Sequence, residues 1–258
     1  MSWSTRRQLL VLLILLLVLF IVAGIFLFPY ILKAPTCSDG VKNGLETGVD
    51  CGGACERVCT EEAAELDVLW ARTFKVADGV YDAVAYVENP NARAGVREIV
   101  YKFSLYDGEN LLVTERVGKT HVSPNGAFPI FEGGIRTGVR VPKRTFFEFA
   151  EEPAWERLSD KAASFSLGTG NIRLEDATGS PRLTAAVSNR SIYTLADVEV
   201  MAVLYDEREN ALGVSETFID TLSKGESAQA VFTWLLPFPR VPTRIEVVPR
   251  VNLFSIPF

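Results

Sequence analysis

Two stretches decide the fold: REIVYKFSLYD, residues 97–107, and DVEVMAVLYD, residues 197–206. In both stretches the apolar residues alternate along the chain; they are Ile99, Tyr101, Phe103 and Leu105 in the first and Val198, Val200, Ala202 and Leu204 in the second. Because successive side chains of a β-strand point to opposite faces, this alternation predicts two strands that each lay one apolar face on a core. The Asp- and Asn-containing segments 107–110 and 206–210 then predict hairpin turns.

The two stretches belong to a longer internal repeat. Val87 and Asn89 correspond to Val187 and Asn189 at an offset of 100 residues. Leu105, Tyr106 and Asp107 correspond to Leu204, Tyr205 and Asp206 at an offset of 99, and RVPKR at 140–144 returns as RVPTR at 240–244. Chance would not hold this register over about sixty residues, so the sequence predicts a tandem of two homologous modules.

Each predicted module has about 95 residues, about seven short strands and turn signals at intervals of about ten residues, which fits an immunoglobulin-like β-sandwich. The predicted fold class is mainly β: two tandem sandwich modules preceded by one transmembrane α-helix and a small disulfide-rich segment. The predicted boundaries are 1–8 for a cytoplasmic tail, 9–32 for the transmembrane helix, 33–60 for the cysteine-rich module, 61–158 for the first sandwich and 159–258 for the second.

The string at residues 103–107, FSLYD, also carries a family resemblance. It resembles the motif of the FxLYD family of small extracytoplasmic β-sandwich domains, in which an earlier strand ends in Asn, as at Asn89 and Asn189. The second copy departs from this motif, because Ala202 stands where Phe103 stands in the first. The resemblance implies a binding or spacer module that faces the envelope and has no known catalytic residues.

A membrane span is predicted at residues 9–32, where 24 residues pass without a charge, because about 20 apolar residues suffice to cross the hydrocarbon core of a bilayer. A retained anchor is favoured over a cleaved signal peptide, whose apolar region is shorter and ends in a small-residue cleavage site. Arg6 and Arg7 precede the span and only Lys33 follows it directly, so the amino terminus is predicted to be cytoplasmic and the bulk of the chain extracytoplasmic.

All four cysteines lie in one segment just after this span, at Cys37, Cys51, Cys55 and Cys59. Their spacing, C-x13-C-x3-C-x3-C, lacks the paired C-x2-C knuckles of a structural zinc site and a C-x-x-C redox pair. An extracytoplasmic location permits disulfides. Two disulfides are therefore predicted in preference to a metal, and the sequence leaves three pairings open.

The same segment holds a candidate calcium loop formed by Asp39, Asn43, Glu46 and Asp50, with glycines between them. Oxygen ligands on a loop bent by glycine suit calcium, but the spacing misses the EF-hand pattern, and turn formation explains the same residues. Residues 37–59 also resemble a short module of surface proteins, C-x-D-G-x-x-N-G-x-E-T-x-x-D-C-G-G-x-C, which implies a structural spacer. No other cofactor is expected.

The predicted chemistry is not that of an enzyme. His121, the single histidine, lies near a turn and is expected at the surface. G-x-S-x-G, P-loop, G-x-G-x-x-G and H-E-x-x-H motifs do not occur. Residues 34–258 carry 23 Lys and Arg against 32 Asp and Glu, a net charge of −9, and such a surface does not suit nucleic acid.

The sequence therefore predicts a single-pass envelope protein of the cell membrane, whose two modules bind or scaffold an unidentified envelope protein or surface polymer. The alternatives are a calcium-responsive surface sensor and a glycan-binding accessory protein. An apolar stripe of Trp234, Phe238 and Phe258 would mark a partner surface if it were exposed. Asn189-Arg190-Ser191 fits a glycosylation acceptor.

Overall fold

The computed structural model describes residues 3–31, 35–158 and 165–256. The described ranges contain one α-helix, one short 3-10 turn at Thr60–Glu62 and thirteen β-strands. The predicted fold class, mainly β behind an N-terminal apolar helix and a disulfide-bonded segment, is confirmed. Four predicted features lie outside the described residues: the end of the membrane span at Leu32, the flanking Lys33, the boundary at residue 159, and Phe258.

The apolar run folds as one long helix, α1, at Trp3–Ile31. Its stretch Arg6–Leu27 has a mean hydropathy of 3.5 and is not buried by the rest of the protein. At 1.5 Å per residue these 22 residues measure about 33 Å, which matches a hydrocarbon core of about 30 Å. The helix is therefore compatible with a single membrane span, and it begins before the predicted boundary at residue 9.

The first sandwich contains β1 (Asp67–Ala77), β2 (Val80–Asn89), β3 (Ala94–Tyr106), β4 (Leu112–Val122), β5 (Gly126–Arg136), β6 (Arg144–Phe149) and the short β7 (Trp155–Arg157). One of its sheets has the strand order β1-β2-β5 and the other β4-β3-β6, with antiparallel neighbours throughout. β7 pairs with the beginning of β3.

The second sandwich contains β8 (Leu167–Glu175), β9 (Arg182–Asn189), β10 (Leu195–Tyr205), β11 (Ala211–Leu222), β12 (Ser227–Thr233) and β13 (Arg244–Arg250). Its sheets have the orders β8-β9-β12 and β11-β10-β13, which match those of the first sandwich strand for strand. It has six described strands rather than about seven, because the chain after β13 is irregular and packs on the first sandwich.

The alternating residues of the two opening stretches lie where the pattern predicts. Ile99, Tyr101, Phe103 and Leu105 are buried in the core of the first sandwich, and Val198, Val200, Ala202 and Leu204 are buried in that of the second. The two cores share no buried residue. Each sandwich therefore has a hydrophobic core of its own.

The edges of each sandwich are covered by its own strands. In the first, β1 lies against β6, and the hydroxyls of Thr73 and Thr145 are 3.3 Å apart. In the second, β13 lies against β8 and β11 lies against β12. These contacts bring the two sheets of each sandwich together along their edges.

Candidate functional site

The first Leu-Tyr-Asp string organises the turn after β3. Asp107 Oδ1 accepts hydrogen bonds from the backbone N–H groups of Glu109 (3.0 Å) and Leu111 (2.9 Å). Its Oδ2 pairs with the guanidinium of Arg140, which opens the RVPKR string. The hydrogen bond from Arg140, followed by those from the backbone, holds the pKa of Asp107 below its usual value.

The second string is built in the same way. Asp206 Oδ1 accepts the backbone N–H groups of Arg208 and Asn210, each at 2.9 Å, and its Oδ2 lies 3.0 Å from Nη1 of Arg240. The backbone hydrogen bond from Asn210 is the main cause that lowers the pKa of Asp206. In each sandwich, the Leu-Tyr-Asp string and the string that begins Arg-Val-Pro are far apart in the sequence. The structure joins them in one contact, and that contact holds a turn.

The asparagines that end β2 and β9 tie neighbouring loops together. Buried Asn89 donates from Nδ2 to the carbonyls of Ala94 (2.8 Å) and Ser123 (2.9 Å). Buried Asn189 donates from Nδ2 to the carbonyl of Tyr193 (2.7 Å). It also donates to the carbonyls of Leu222, which ends β11, and of Ser223, which follows it. Because the amide of Asn189 is enclosed and engaged, the glycosylation motif at this position does not present an accessible acceptor.

The four cysteines form two disulfides, Cys37–Cys55 and Cys51–Cys59, which resolves the three pairings that the sequence leaves open. Among the described residues, Cys37, Cys55 and Glu46 come within metal-ligating distance of one another. Both sulfurs belong to one disulfide, so neither is a thiolate, which is the form that binds metals. The cluster therefore does not offer a soft-metal site while it is oxidised.

The candidate calcium ligands lie in one small loop, where backbone amides engage their carboxylates. Asp50 Oδ1 accepts the N–H of Asp39 at 2.9 Å, and Asp50 Oδ2 accepts the N–H of Gly40 at 2.8 Å. Glu46 Oε2 accepts the N–H of Asn43 at 3.2 Å. Asp39 Oδ2 accepts Nδ2 of Asn43 at 2.9 Å, the main cause that lowers the pKa of Asp39. Turn formation alone accounts for these bonds, and calcium binding stays a prediction.

The disulfide-bonded segment is attached to the first sandwich by backbone pairing. The N–H of Val58 donates to the carbonyl of Trp155 at 3.0 Å, and the N–H of Arg157 donates to that of Glu56 at 2.6 Å. Arg157 Nη1 also donates to the carbonyl of Gly53 at 2.6 Å. The short β7 is therefore held on one side by β3 and on the other by the disulfide-bonded segment.

The surface position predicted for His121 is wrong. Its side chain is only 6% exposed, and it lies at the end of β4 beside residues of the second sandwich and of the chain after β13. Burial, and secondarily the charge of Arg250, lower its pKa to about 2. The imidazole is therefore neutral, and its Nε2 has no hydrogen-bond partner within the described structure.

The predicted aromatic stripe does not form an exposed patch in the described residues. Phe238 is buried in the second core, and half-buried Trp234 packs beside it with ring centroids 5.1 Å apart. The indole N–H of Trp234 donates to the carbonyl of Val214 at 2.9 Å. These side chains are core residues of the second sandwich and its border.

The two sandwiches pack face to face through a third apolar cluster. Its buried members are Val84 and Tyr86 of β2, Val203 and Tyr205 of β10, and Val214 of β11; Trp70, Phe74, Phe131 and Ala211 pack around them. The outer face of the sheet β1-β2-β5 thereby covers the outer face of the sheet β11-β10-β13. We call this contact, together with Arg250 described below, the joint.

Glu246 connects aromatic side chains on both sides of the joint. Its Oε1 accepts the hydroxyl of Tyr86 from the first sandwich, and its Oε2 accepts the hydroxyl of Tyr205 at 3.2 Å. Burial is the main cause that raises the pKa of Tyr205 to about 12. Trp70 stacks on Tyr86 with ring centroids 5.4 Å apart, and the guanidinium of Arg244 lies 3.7 Å above the ring of Tyr205.

Arg250, the last residue of β13, reaches into the first sandwich. Its guanidinium donates to the carbonyls of Pro129 (3.1 Å) and His121 (2.6 Å) and lies 4.3 Å above the ring of Phe128. Its side chain is 5% exposed, and Glu199, 3.6 Å away, is its ion-pair partner. An arginine buried with these acceptors links the two sandwiches by charge as well as by packing.

Carboxylates from both sandwiches form a cluster on one side of this arginine. Glu199 and Glu216 come from β10 and β11, whereas Glu132 comes from β5 and accepts the hydroxyl of Tyr101 at 2.9 Å. Burial, together with the charges of Glu199 and Glu132, raises the pKa of Glu216 to about 7, against the opposing effect of Arg250. The guanidinium thus acts on two carboxylates, those of Glu199 and Glu216, while the charge of Glu132 reaches Glu216 from the first sandwich.

The chain after β13, which we call the strap, makes a further contact between the two sandwiches. Asn252 Nδ2 donates to the carbonyl of Arg97 at 2.9 Å, and Arg97 Nη1 donates to the carbonyl of Phe254 at 2.6 Å. The Phe254 ring lies over Gly95, where an added Cβ would approach the ring to 3.0 Å. Arg97 and Gly95 of β3 therefore form the surface on which the strap packs.

The residues of the joint were not among those that the sequence singled out as a site, except for Tyr205. The signal for them is the apolar run on both faces of two strands, VAYV at 84–87 and VMAVLY at 200–205. A strand that is covered on both faces loses its alternation and reads as continuously apolar. The corresponding strands β3 and β9 keep polar residues on their outer faces, such as Lys102 and Thr184.

No family model matches this sequence, and no curated protein matches it. Among solved structures, the chain has a distant similarity to the crystal structure of red sea bream transglutaminase, with 12% sequence identity and a TM-score of 0.23. That match covers 74% of this chain and 30% of the transglutaminase chain. A TM-score this low carries no argument about fold or function.

Proposed function

We propose that this protein is a membrane-anchored envelope protein whose two sandwiches form one stiff unit that binds or scaffolds another envelope component. One observation carries the proposal: contacts run without interruption from the disulfide-bonded segment to the first sandwich and across the joint to the second. In this proposal the disulfide-bonded segment at residues 37–59 connects this unit to the membrane anchor and fixes its position. The apolar helix supports the anchor, and Arg6 and Arg7 before it support a cytoplasmic amino terminus.

The two sandwiches are, in this proposal, diverged copies of one FxLYD-like module. The equal strand orders and the equal Asp–Arg contacts at Asp107–Arg140 and Asp206–Arg240 support a common origin. The copies differ on their outer faces: β10 carries Met201 and Val203 where β3 carries Lys102 and Ser104. The first copy therefore has polar side chains on the outer face of that sheet, and its Lys102 pairs with Glu148 at 2.7 Å.

The topology is tested with two fusions to the carboxyl terminus of the full chain. Alkaline phosphatase is active only outside the cytoplasm, whereas green fluorescent protein exported unfolded stays dark. We expect an active phosphatase fusion and a dark fluorescent fusion. A matched variant with Arg6→Glu and Arg7→Glu removes the charge bias and should reduce phosphatase activity. Bright fluorescence with an inactive phosphatase would contradict the proposal.

The binding function is tested by affinity capture from native membranes, with the full chain as bait. A specific component that depends on the sandwiches should be retained by the wild type and lost when β3 of the first sandwich is altered on its outer face, for example by Tyr106→Ala. Glu175→Gln, at an exposed position in β8, is the matched control. Equal recovery with an unrelated membrane anchor would argue against a binding role.

A second candidate function, a calcium-responsive sensor, is favoured by one observation. Asn43 Oδ1 is enclosed in the loop of candidate ligands and has no hydrogen-bond partner within the described structure. A ligand that binds only the folded state raises the melting temperature by mass action. Millimolar calcium should therefore raise the melting temperature of the wild type and not that of Asp39→Asn; an unchanged wild type would remove this candidate.

A further inference from the structure

We propose that the joint is a pH-responsive contact, in which protonation of Glu216 tightens the packing between the two sandwiches and its ionisation loosens it. Such a contact would respond to pH whatever the membrane topology or the partner. Glu216 lies on β11, and its strand partner across β10–β11 is Met201. Met201 is 1% exposed and lies on the face of β10 that the first sandwich covers.

The groups around Glu216 come from every strand that meets there. On its own sandwich these are Glu199 of β10 and Arg250 of β13, which are directly opposite each other in the strand register. From the first sandwich they are Glu132 of β5 and Tyr101 of β3. At the end of β4, His121 completes the set through its carbonyl, which accepts the Arg250 guanidinium.

The charge balance of this cluster changes with the state of Glu216. Three ionised carboxylates and one guanidinium leave two uncompensated negative charges among side chains that are half-buried at the contact. Protonated Glu216 leaves one, because Glu199 is 3.6 Å from Arg250 and is balanced by it. Like charges on opposite sides of a contact repel each other more strongly when they are partly buried than when they are in open solvent. Ionised Glu216 therefore pushes Glu132 of the first sandwich away.

The direction of the pH effect follows from proton linkage. The pKa of Glu216 is raised from 4.5 to about 7, so the folded state binds the proton that the unfolded state has released. Its contribution to stability is full below the ordinary value and is lost as the pH rises to about 7. His121 acts in the opposite sense below its ordinary pKa of 6.5, because the buried ring stays neutral while the unfolded ring takes a proton.

The test compares the melting temperature of the full chain in detergent micelles with that of Glu216→Gln across the pH range from 5 to 8.5. Glutamine mimics the protonated carboxyl at every pH. We expect the two proteins to melt close together at pH 5, and the variant to melt higher by about 5 °C at pH 8.5. The difference between the two curves removes the contribution of His121, which both proteins share.

Trp70 provides a readout that is local to the joint, because it stacks on the buried Tyr86 at the border of the contact. Quenching of its fluorescence by acrylamide should increase through about pH 7 in the wild type and stay level in Glu216→Gln. Trp70→Phe should remove the pH-dependent part of the signal. A pH-dependent signal that survives Trp70→Phe would place the change elsewhere and overturn the proposal.

Two further variants separate the effect of Glu216 from that of other carboxylates. Glu207→Gln makes the same chemical change at an exposed turn of the second sandwich and should follow the wild type at every pH. Glu132→Gln removes one repelling charge while it can still accept the hydroxyl of Tyr101, and should move the wild-type transition to lower pH. The proposal is overturned if Glu216→Gln and wild type differ by the same amount at all pH values, or if Glu132→Gln leaves the transition in place.

Discussion

Asn89 and Asn189 each fasten two loops with one side chain, and each is buried at the end of a strand. An asparagine suits this position because its amide carries two donors and one acceptor within a few ångströms. The Oδ1 of Asn189 accepts the backbone N–H of Ser191 at 2.9 Å, so the donor and acceptor sides are both used. The residue is thus a structural element of the sandwich.

Replacing Asn189 by alanine should destabilise the second sandwich by about 2–4 kcal/mol, because the buried carbonyls of Tyr193 and Leu222 lose their donors. Chemical denaturation of the full chain in micelles measures the change. Gln229→Ala, at an exposed position in β12, is the control and should stay within about 0.5 kcal/mol of wild type. Equal stability of both variants would show that the loop bonds contribute little.

Asp107 and Asp206 make a further prediction about acid stability. Hydrogen bonds lower the pKa of both groups, so each contributes stability that is present above the usual value of 3.8 and is lost as the pH falls below it. The melting temperature of Asp206→Asn should therefore fall less than that of the wild type as the pH decreases from about 4 to 2.5. Glu207→Gln serves as the control in the same turn. A variant that loses stability in acid as steeply as wild type would contradict this assignment.

Among the strands, β10 shows how tertiary contacts modify a local pattern. Its inner face follows the predicted alternation, with Val200 and Leu204 in the core. Its outer face carries Val203 and Tyr205, which are equally buried because the first sandwich covers them. β3, at the same place in the first sandwich, has Ser104 and the ion-paired Lys102 instead.

Val203→Ser should lower the stability of the full chain by about 2 kcal/mol, because it places an unpaired hydroxyl and a small void in the joint. Val117→Ser in β4 is the matched control, since Val117 is 65% exposed, and it should change stability by less than about 0.5 kcal/mol. Denaturant unfolding measures both. The joint would be less important than we infer if the two substitutions had the same small effect.

The strands show which parts of the fold the sequence predicts and which it does not. Alternation identifies the core face of β3 and β10 because burial by the partner sheet acts on every second residue. The partners of Arg250 and Glu216 depend on the packing of two distant sheets, for which no local pattern exists. The buried position of His121 has the same origin, since residues of the second sandwich and of the chain after β13 lie beside it. Continuous apolar runs are the available signal. They indicate that both faces of a strand are buried, but they do not identify the element that covers the outer face.

In the whole molecule, the joint and the disulfide-bonded segment have different roles. The joint combines apolar packing with a buried arginine, so it couples the two sandwiches to each other. The disulfide-bonded segment makes backbone contacts with β7 and adds Val58 to the border of the first core. Neither core contains a cysteine. The sandwiches should therefore fold without the disulfides, whereas their position relative to the apolar helix α1 should depend on them.

Replacing all four cysteines by serine tests this division in the full chain. Because a disulfide acts mainly by restricting the unfolded chain between its two residues, the loss should be confined to residues 37–59 and the backbone pairing at β7. We expect the main melting transition to shift by less than about 4 °C, while proteolysis of the segment becomes faster. Val58→Ala, which weakens the contact with the first core but keeps both disulfides, is the control and should leave the segment resistant. Loss of the main melting transition in the cysteine-free variant would mean that the first sandwich needs the disulfide-bonded segment in order to fold. That segment would then be part of the first domain.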